Sequence, residues 1–393
     1  MNEALNRNND QYVEPTRNEK LRIAAIMPRI WRPEKANFRR VWDMLSDHFE
    51  GAVFTLSEPG QSGTAIGSFK FISTSGSGTL GKLKRLRLQT FGVLLQAWRD
   101  KPFQVVIVYD PYASGLAGLF VSRVMRARLI VEMNGDYHEA PPEGSRWKKL
   151  VMKRIMHLVM GQADAIRVLN SSQEAYVTDH FRRPKVYKFA DFTPVDLFLH
   201  NDASGGRYFL FVGYPFGLKG VDVLIKAYCK ARRDFPDLGL RIMGHCPPPE
   251  DKPFRAMAEE CSGVEFVPPA WIEDVVNEMR HAIALVNPAR TEALGRVHIE
   301  AMASGKPVVA SATNGAKEVV EPWKTGILVD IDDVDGLAKA LRWIASNRSE
   351  AAAMGARGRE RVRSFYTEER YRDNMAYMFR SVEGGTAPPN STQ

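Results

Sequence analysis

Short apolar runs alternate with amphipathic segments along almost the whole chain. Four near-continuous apolar runs occur in the first half, at residues 21–27, 104–108, 128–132 and 165–169. Runs of this kind are typical of strands that are buried on both faces of a sheet. After a polar, glycine-rich stretch at residues 201–206, the pattern restarts with YFLFV, LRIM, VEFV, IALV, PVVA and GILV. The alternation therefore predicts two parallel sheets with right-handed crossovers.

Chain length and the repeated pattern together predict two domains. A chain of 393 residues exceeds the size at which a single hydrophobic core stops growing. We therefore predict an α/β fold of two Rossmann-like domains that face each other across a cleft, over residues 21–200 and 205–365. Ligands are expected at the carboxyl ends of the strands. The polar segments at residues 1–20 and 385–393 are predicted to be disordered tails.

The net charge of +8 lies almost entirely in the first half of the chain. Residues 1–200 carry 29 Lys and Arg against 20 Asp and Glu, whereas residues 201–393 carry 25 against 26. The excess concentrates in residues 80–160, which hold 14 basic and 6 acidic side chains. This asymmetry indicates an anionic partner for the N-terminal half, such as a membrane surface, nucleic acid or a phosphorylated acceptor.

Three features of the sequence favour a cytoplasmic protein: the polar N-terminal segment, the short apolar runs and the spacing of the cysteines. The N-terminal segment has no apolar signal core, and no run reaches the ~20 apolar residues of a membrane span. Cys229, Cys246 and Cys261 show neither a CxxC nor a Cys/His metal spacing. An odd number of cysteines without a disulfide framework suits a reducing cytosol. We therefore predict a cytoplasmic location, which is compatible with binding to a membrane surface.

Two carboxylates, Glu292 and Glu300, flank a glycine and the start of a predicted helix. The helix begins near Gly295, where free N–H groups and the helix dipole favour a phosphate. Ionised carboxylates only accept hydrogen bonds, so they suit the vicinal hydroxyls of a sugar or ribose. The combination indicates a nucleotide-sugar site. A cap by Glu292 with a solvated Glu300 explains the same spacing equally well.

A second candidate element is the strand, glycine-bearing turn and helix in YFLFVGYPFGLKGVDVLIKAY. Gly213, Gly217 and Gly220 lie in the turn, and Lys219 lies at its end. A lysine at this point can neutralise a diphosphate as a point charge. Considered alone, Lys219 is better explained as a surface residue of a strand–helix loop.

Five segments resemble, in order and spacing, the C-terminal domain of a large enzyme family. They are FVG…LKGVDVLIKAY, RIMGHCPPP, ALVNPARTEALGRVHIEAMASGKPVVAS, NGAKEVVEPWKTGILVD and DVDGLAKAL. The family is the retaining GT-B glycosyltransferases (glycosyl transferases group 1, family 4), whose signature of Glu, seven residues and Glu is matched by Glu292 and Glu300. The resemblance implies a GT-B architecture and transfer of a sugar, with retained anomeric configuration, from a nucleoside diphosphate to an acceptor hydroxyl. It implies no metal, and no cofactor beyond the nucleotide sugar as co-substrate.

The same resemblance implies roles for individual residues. Lys219 would hold the diphosphate, Glu300 the ribose hydroxyls and Glu292 the transferred sugar. The other implied donor contacts are Gly213, the amides around Leu294 and Gly295, and a nucleobase contact at Trp271 or Ile272.

The first half resembles the acceptor-binding domain of the family less specifically. VVIVYDPYAS, RLIVEMNGDYHE, DAIRVLNSSQEAYV and KVYKFADFTPVDLF fall where family members carry acceptor-domain strands and the loop before the linker. The segment 366–384 resembles the last helix of the family, which crosses back to brace the N-terminal domain. Asp136 or His138, in the loop after RLIVE, is the expected catalytic group near the reacting carbon. A loop residue with satisfied hydrogen bonds is an equal alternative for either one.

Two departures from the family pattern bear on activity. No glycine-rich loop follows the first strand, and Tyr214 stands where family members often carry an arginine. Arg290 or Arg296, beside the start of the helix at Gly295, would then replace the missing cation. The departures also motivate an alternative, a non-catalytic GT-B subunit, which donor hydrolysis or transfer by the isolated protein would distinguish from the enzyme.

A further alternative is a P-loop nucleotide hydrolase. Gly76, Gly81 and Lys82 fit the spacing of a P-loop. Leu83, however, occupies the position where that motif needs Ser or Thr to bind a metal. We therefore favour a flexible glycine- and serine-rich loop.

Two basic segments in the first half combine cationic and large apolar residues. The first carries Lys82, Lys84, Arg85 and Arg87 among leucines, and residues 146–160 repeat the combination. A helix packed on its sheet with its charges in water is the structural alternative. Basic faces beside exposed apolar residues fit binding to anionic lipid, whereas nucleic-acid binding would call for stacking aromatics. We therefore predict a peripheral enzyme on the inner face of the cell membrane, with a lipid-linked or glycan acceptor of bacterial surface-polysaccharide synthesis.

Overall fold

The structure is a computed structural model, and it describes residues 20–30, 36–56, 64–75, 78–139, 144–199, 206–268 and 271–384. Residues 1–19 of the predicted tail at 1–20, the predicted tail at 385–393 and residues 201–205 of the predicted linker lie outside these ranges, as does Gly76 of the P-loop alternative. Within them the chain forms two sheets, one of eight strands and one of six. The two parallel-sheet units confirm the predicted α/β class.

The first sheet has the strand order β3-β4-β2-β1-β5-β6-β7-β8. All its neighbouring strands are parallel except β3 and β4. The strands are β1 (Leu21–Ile30), β2 (Phe49–Leu56), β3 (Ala65–Ile66), β4 (Phe69–Thr74), β5 (Val105–Val108), β6 (Arg128–Glu132), β7 (Ala165–Val168) and β8 (Lys185–Lys188).

Helices cover both faces of this sheet. Their ranges are α1 (Ala36–Leu45), α2 (Gly78–Arg87), a π-helical turn (Leu88–Gly92), α3 (Val93–Arg99), α4 (Ala113–Met125), α5 (Arg146–Gln162), α6 (Ser171–His180) and α7 (Asp196–Leu199). Side chains of α3, α4, α5 and α6 share one buried cluster with the sheet. The opposite face is covered by α1 and by the last helix of the chain.

The second sheet is parallel throughout, with the order β11-β10-β9-β12-β13-β14. Its strands are β9 (Tyr208–Val212), β10 (Gly239–Met243), β11 (Val264–Val267), β12 (Ala282–Asn287), β13 (Val308–Ser311) and β14 (Gly326–Val329). The helices of this half are α8 (Val221–Arg232), α9 (Lys252–Glu259), α10 (Ile272–His281), α11 (Arg296–Ala303), α12 (Asn314–Val319), α13 (Val334–Ser346), α14 (Arg348–Phe365) and α15 (Glu368–Glu383).

Helix α15 returns to the N-terminal domain. The rings of Phe379 and Phe49 lie 5.2 Å apart in an edge-on arrangement. The hydroxyls of Tyr187 and Ser381 share a hydrogen bond of 2.7 Å. Apolar side chains of α15 therefore complete the core on this face of the first sheet.

All the strands predicted from apolar runs are present, and the structure adds β2, β3, β4 and β8. Strand β2 contains Glu50 and Gly51, and β8 is a half-exposed edge strand, so neither has a long apolar run. The P-loop alternative is wrong because Gly81 and Lys82 lie inside α2, and the flexible loop that we favoured instead is wrong from Gly78 onwards for the same reason. In the acidic segment at residues 330–333, Asp333 caps α13 by accepting from the backbone amide of Gly336 at 2.8 Å.

The expectation that the cysteines form no disulfide is wrong. Cys229 of α8 is bonded to Cys261, with 5.8 Å between their Cα atoms, and Cys246 is free. The pairing joins residues 32 positions apart, because α8 packs beside the turn that precedes β11, and spacing along the chain cannot show this. The cysteine argument for a reducing compartment therefore loses its basis.

Candidate active site

The turn after β9 brings a lysine to the carboxyl edge of the second sheet. Gly220 ends this turn with a φ of 69°, a conformation that favours glycine. A Cβ atom there would lie 2.0 Å from the carbonyl oxygen of Pro288. Gly213 begins the turn, and its amide donates to the carbonyl of Met243 at 3.0 Å. The glycines thus allow Lys219 to lie beside the loop that follows β12.

Lys219 and Glu292 form an ion pair in this cleft. The Lys219 ammonium donates to Oε2 of Glu292 at 2.5 Å, and both side chains are about four-fifths buried. The two residues are 73 positions apart in the chain. The structure therefore brings together the two predicted residues whose charges would act on a diphosphate and its sugar.

The N-terminus of α11 lies directly beside this pair. Gly295 is the N-cap residue with a φ of 76°, and no side chain of the described residues caps the helix. A Cβ atom at Gly295 would lie 2.4 Å from Nδ1 of His298 and 3.1 Å from Cγ of Glu292. Glycine at this position therefore lets the backbone pass close to Glu292 and His298 at the start of α11. The N-terminus of a helix is a position that suits a phosphate.

His298 lies beneath this helix start and was missed by the sequence reasoning. The ring is buried, and its Nε2 lies 2.9 Å from the amide nitrogen of Asn287 at the end of β12. The pKa of His298 is lowered to about 4, chiefly by burial; Glu292 opposes the shift, and Lys219 adds to it. The imidazole is therefore neutral at neutral pH. The amphipathic position of His298 in α11 was the available signal, since it faces the core side of the helix.

Glu300 lies in the second turn of α11 and is half-buried. Burial raises the pKa of Glu300, and the nearby Arg296 opposes the shift. The alternative of a solvated Glu300 on the outer face of the helix is therefore wrong. Its position along the helix, one and a half turns from Gly295, agrees with a role as acceptor for ligand hydroxyls.

Arg290 and Arg296, the two arginines predicted to replace a missing cation, differ in their contacts and exposure. Arg290 donates to both carboxylate oxygens of Asp222, at 2.9 and 2.8 Å, and its Nε pairs with Asp332 at 2.8 Å. These contacts tie the first turn of α8 to the loop after β14 and occupy the guanidinium. Arg296 is exposed at the first position of α11. The structure thus places Arg296, rather than Arg290, where its cation is available at the helix start.

The two residues predicted to contact the nucleobase, Trp271 and Ile272, follow β11 in the chain. Trp271 is exposed as the N-cap of α10, and Ile272 is half-buried against the core. A cavity of about 220 Å³ opens nearby, at the carboxyl ends of β10 and β11. Neither Trp271 nor Ile272 lines it. Its walls include Phe216, His245, Cys246, Arg255 and Phe266, which the sequence reasoning did not single out.

Asp136 follows β6 and lies where the two domains meet. Its side chain is buried. Oδ1 accepts from the amides of Asn170 and Gln173 at 3.1 and 2.9 Å, and Oδ2 accepts from Asn314 at 3.3 Å. The carboxylate of Asp136 is therefore surrounded by amide donors from both halves of the chain.

His138 lies in the same loop, packed on α6. Its Nε2 is 3.1 Å from the hydroxyl of Ser172, and its ring stacks on Tyr176 with 4.7 Å between the ring centroids. The hydroxyl of Tyr176 in turn lies 2.9 Å from Nε2 of His157 on α5. No described residue gives the buried Nδ1 of His138 a hydrogen-bond partner. The His138 ring is thus held by a contact of Nε2 with Ser172 and by stacking on Tyr176.

The outer face of the first domain carries both basic and large apolar side chains. Helix α4 contacts α5 on one side and the segment of α2, the π-helical turn and α3 on the other. Lys82, Lys84 and Arg87 are exposed on α2, and Arg85 is half-buried. The large apolar side chains exposed on these helices are Leu83, Leu86, Phe91, Leu95, Trp98, Phe120, Val124, Trp147, Leu150, Val151 and Leu158. We call this surface the outer face.

Two family models match the chain, one for each domain. The model described as "Glycosyl transferases group 1" matches residues 197–361, and the model described as "Glycosyl transferase 4-like domain" matches residues 49–188. The two matches correspond to the second and the first sheet, respectively.

Curated relatives match over part of their length. The chain is 36% identical over 159 residues to a GDP-mannose-dependent monoacylated alpha-(1-6)-phosphatidylinositol monomannoside mannosyltransferase of Corynebacterium glutamicum, covering 38% of this chain and 41% of that protein. It is 39% identical over 153 residues to a GDP-mannose-dependent alpha-(1-6)-phosphatidylinositol monomannoside mannosyltransferase of Mycolicibacterium smegmatis, covering 36% of this chain and 39% of that protein. The matches thus span about two fifths of these relatives.

The fold as a whole also matches a solved structure. Sucrose-phosphate synthase from Thermosynechococcus elongatus aligns with a TM-score of 0.77 at 21% identity, over 92% of this chain and 99% of that one. An alignment at this identity shows the fold, a pair of facing domains of the GT-B type. With both sheets matched in sequence and the whole chain matched in structure, the protein belongs to the glycosyl transferases group 1 of GT-B fold.

Proposed function

We propose that the protein is a retaining glycosyltransferase that moves a sugar from a nucleoside diphosphate to an acceptor hydroxyl. The observation that carries the proposal is the Lys219–Glu292 pair at the uncapped start of α11. A cation, a free helix N-terminus and a carboxylate at one sheet edge match the charges of a diphosphate joined to a polyhydroxylated ring. The neighbouring cavity at the ends of β10 and β11 would take the nucleobase.

Donor binding would replace the ion pair with contacts to the ligand. The diphosphate takes the Lys219 ammonium and the amides at the start of α11, which releases Glu292 to accept from a sugar hydroxyl. Glu300, with its raised pKa, lies further along the same helix for the ribose. Positive groups that are already in position stabilise the charge that grows on the departing diphosphate.

The reaction breaks the bond between the anomeric carbon and the phosphate oxygen. The acceptor oxygen bonds to the same carbon from the face that the diphosphate leaves, so the configuration is retained. The acceptor hydroxyl loses its proton to the departing phosphate oxygen. The diphosphate leaves with the bonding electron pair, and Lys219 and the helix dipole stabilise it.

We also propose that the acceptor is lipid-linked and that the enzyme works at an anionic membrane surface. The outer face supports this proposal, because exposed apolar side chains beside basic ones favour interfacial binding. The two mannosyltransferases named above act on phosphatidylinositol monomannosides by their names, and they make GDP-mannose the first donor to test. None of the described helices is long and apolar enough to cross a membrane.

A donor panel tests the proposed reaction. The purified protein is incubated with UDP, GDP and ADP sugars, and binding is followed by the shift in melting temperature. For the sugar that binds, transfer to polyprenyl- and phosphatidylinositol-linked glycans is followed by mass spectrometry, and NMR gives the anomer of the product. An inverted product would refute the retaining mechanism. Binding without hydrolysis or transfer would favour the non-catalytic subunit.

Metal independence is a separate expectation. The described part of the chain contains no group of three or more His, Cys, Asp or Glu side chains placed to hold a metal ion. We expect transfer to continue at its full rate in excess EDTA, since Lys219 and the helix dipole supply the positive charge. Loss of transfer with EDTA, followed by recovery with magnesium or manganese, would contradict this expectation.

A further inference from the structure

Asp136 is held by side-chain amides that come from both domains. Asn170 and Gln173, at the start of α6 in the first domain, both donate to Oδ1. Asn314, at the start of α12 in the second domain, donates to Oδ2 at 3.3 Å and to Glu139 at 2.9 Å. A carboxylate that accepts three amide hydrogens at once is fixed in orientation as well as in position.

Asn170 also reaches the second domain directly. Its side chain is fully buried, and its Nδ2 donates to the carbonyl oxygen of Ala293 at 2.8 Å. Its Oδ1 accepts from the backbone amide of Gln173 at 2.9 Å and so caps α6. One amide therefore joins Asp136 of the first domain to the residue that follows Glu292 in the second.

Asn314 makes the corresponding connection from the other side. The next residue, Gly315, donates its amide to the carbonyl oxygen of Glu292 at 2.8 Å. A Cβ atom at Gly315 would lie 2.4 Å from the amide nitrogen of Leu294. Glycine is needed for this close approach, and it places Asn314 beside the loop that carries Glu292.

We propose that Asn170 and Asn314 are positioning residues that fix the Asp136 loop against the Glu292 loop. This inference rests on the proposed function. The contacts exist only while the two domains are together, so they define the arrangement in which an acceptor on the first domain meets the sugar on the second. The amides act through Asp136 and the backbone at residues 292–294 and need not touch either substrate.

The proposal separates transfer from donor binding. Lys219, Glu292 and Glu300 all belong to the second domain, so nucleotide affinity should not depend on Asn170 or Asn314. The relative position of the two loops should matter only when the acceptor is attacked. A purely structural role would instead change stability and all kinetic constants together.

The variants Asn170→Ser and Asn314→Ala test this separation. Serine is a good N-cap residue, so Asn170→Ser keeps the start of α6 while it removes the bridge to Ala293. We expect kcat for transfer to fall about tenfold or more in each variant, as is typical when a hydrogen bond to a charged group is lost. The KM for the donor and the Kd for the free nucleoside diphosphate should stay within about twofold.

Ser171→Ala is the matched control. Ser171 is adjacent to Asn170 and donates across the same domain interface, from Oγ to Glu318 at 2.9 Å. We expect its kcat to stay within about twofold of the wild type. An equal loss in Ser171→Ala, or an unchanged kcat in Asn170→Ser and Asn314→Ala, would overturn the proposal.

Hydrogen–deuterium exchange gives a readout that needs no activity. In the free protein, peptides covering residues 133–139 and 292–296 should exchange faster in Asn170→Ser than in the wild type or in Ser171→Ala. Unchanged exchange in both peptides would refute the bridge itself. A wild type that binds no nucleoside diphosphate would count against the proposed function, whereas the exchange result would still decide the role of Asn170.

Discussion

The two domains share a parallel-sheet design but place their charges differently. In the second domain, basic and acidic residues nearly balance, and the charges of Lys219 and Glu292 pair with each other inside the cleft. In the first domain, the basic excess lies on the exposed helices α2 and α5, together with exposed side chains such as Trp98 and Trp147. The second domain thus presents the Lys219–Glu292 pair at the carboxyl edge of its sheet, which we call the inner edge. The first domain presents the basic and apolar outer face.

The difference teaches that sheet topology does not decide what a domain binds. An inner edge with a paired cation and anion suits a small charged ligand, because the ligand can exchange partners with the pair. An outer face with unbalanced positive charge suits an extended anionic surface. The predictions below test each half of this comparison separately.

The largest expected effect belongs to the inner edge. Glu292→Gln and Lys219→Ala should each lower the rate of sugar transfer about a hundredfold, because one preorganised charge contact to a transition state contributes roughly 3 kcal/mol. The measurement is kcat/KM for the donor with an acceptor in excess. Circular dichroism should show an unchanged fold.

Lys230→Ala is the matched control for these variants. Lys230 forms a comparable pair with Asp335 at 2.7 Å, but on the surface of the second domain. Its loss should leave transfer near the wild-type rate. Equal losses of transfer rate in Lys219→Ala and Lys230→Ala would contradict the proposed donor site. Near-normal turnover in Glu292→Gln would contradict it as well.

The second effect belongs to the outer face. Replacing four basic residues of α2 with serine should weaken binding to anionic vesicles at least about tenfold. Each basic residue near the surface contributes about 1 kcal/mol, so the loss of only two such contacts already exceeds tenfold. Co-sedimentation with phosphatidylglycerol vesicles measures it, and added salt should weaken wild-type binding. The replaced residues are Lys82, Lys84, Arg85 and Arg87.

A charge-matched variant of the second domain is the control. It also loses four positive charges, all from exposed positions, and we expect it to bind vesicles like the wild type. If both variants lose binding equally, net charge rather than the outer face attracts the membrane. The control positions are Lys226, Arg233, Lys317 and Lys339.

The smallest effect concerns the pH dependence of stability at the inner edge. The pKa of His298 is lowered to about 4, chiefly by burial. The unfolded chain therefore binds a proton on His298 near pH 6.5, whereas the folded chain binds it only near pH 4. The unfolding free energy should therefore fall as the pH drops from 6.5 towards 4, by about 2 kcal/mol between pH 7.5 and pH 5. Urea denaturation at these two pH values measures the change.

In His298→Gln this part of the pH dependence should disappear. The exposed His281, replaced in the same way, is the control and should leave the dependence as in the wild type. An equal fall in stability for wild type and His298→Gln would show that His298 is not a buried neutral group.

Much of the fold was predictable because its signal is local. An apolar run such as residues 128–132 indicates a strand buried on both faces wherever that strand pairs. The glycines at 220 and 295 were predictable as turn and helix-start positions, and the structure gives both a positive φ. Strand β8 escaped prediction because an edge strand with half-exposed residues has little apolar periodicity.

The candidate site was predictable only in part. Lys219, Glu292 and Gly295 were recognised from motifs, because each motif is a short segment with its own turn chemistry. The ion pairs of Arg290 with Asp222 and Asp332 were not predictable, because Asp222 lies 68 residues before Arg290 and Asp332 lies 42 residues after it. The burial of His298 and the cavity at the ends of β10 and β11 likewise depend on neighbours from distant segments.

The sequence by itself determined the alternating strands and helices, the division into two sheets, the glycine turns and the basic excess of the first half. Only the tertiary structure decided that Lys219 pairs with Glu292, that Asp136 lies between Asn170 and Asn314, and that Cys229 pairs with Cys261. Periodicity reports whether a residue faces the core or the solvent of its own element. Which side chain lies opposite depends on how elements far apart in the chain pack together, and this information is absent from any single segment.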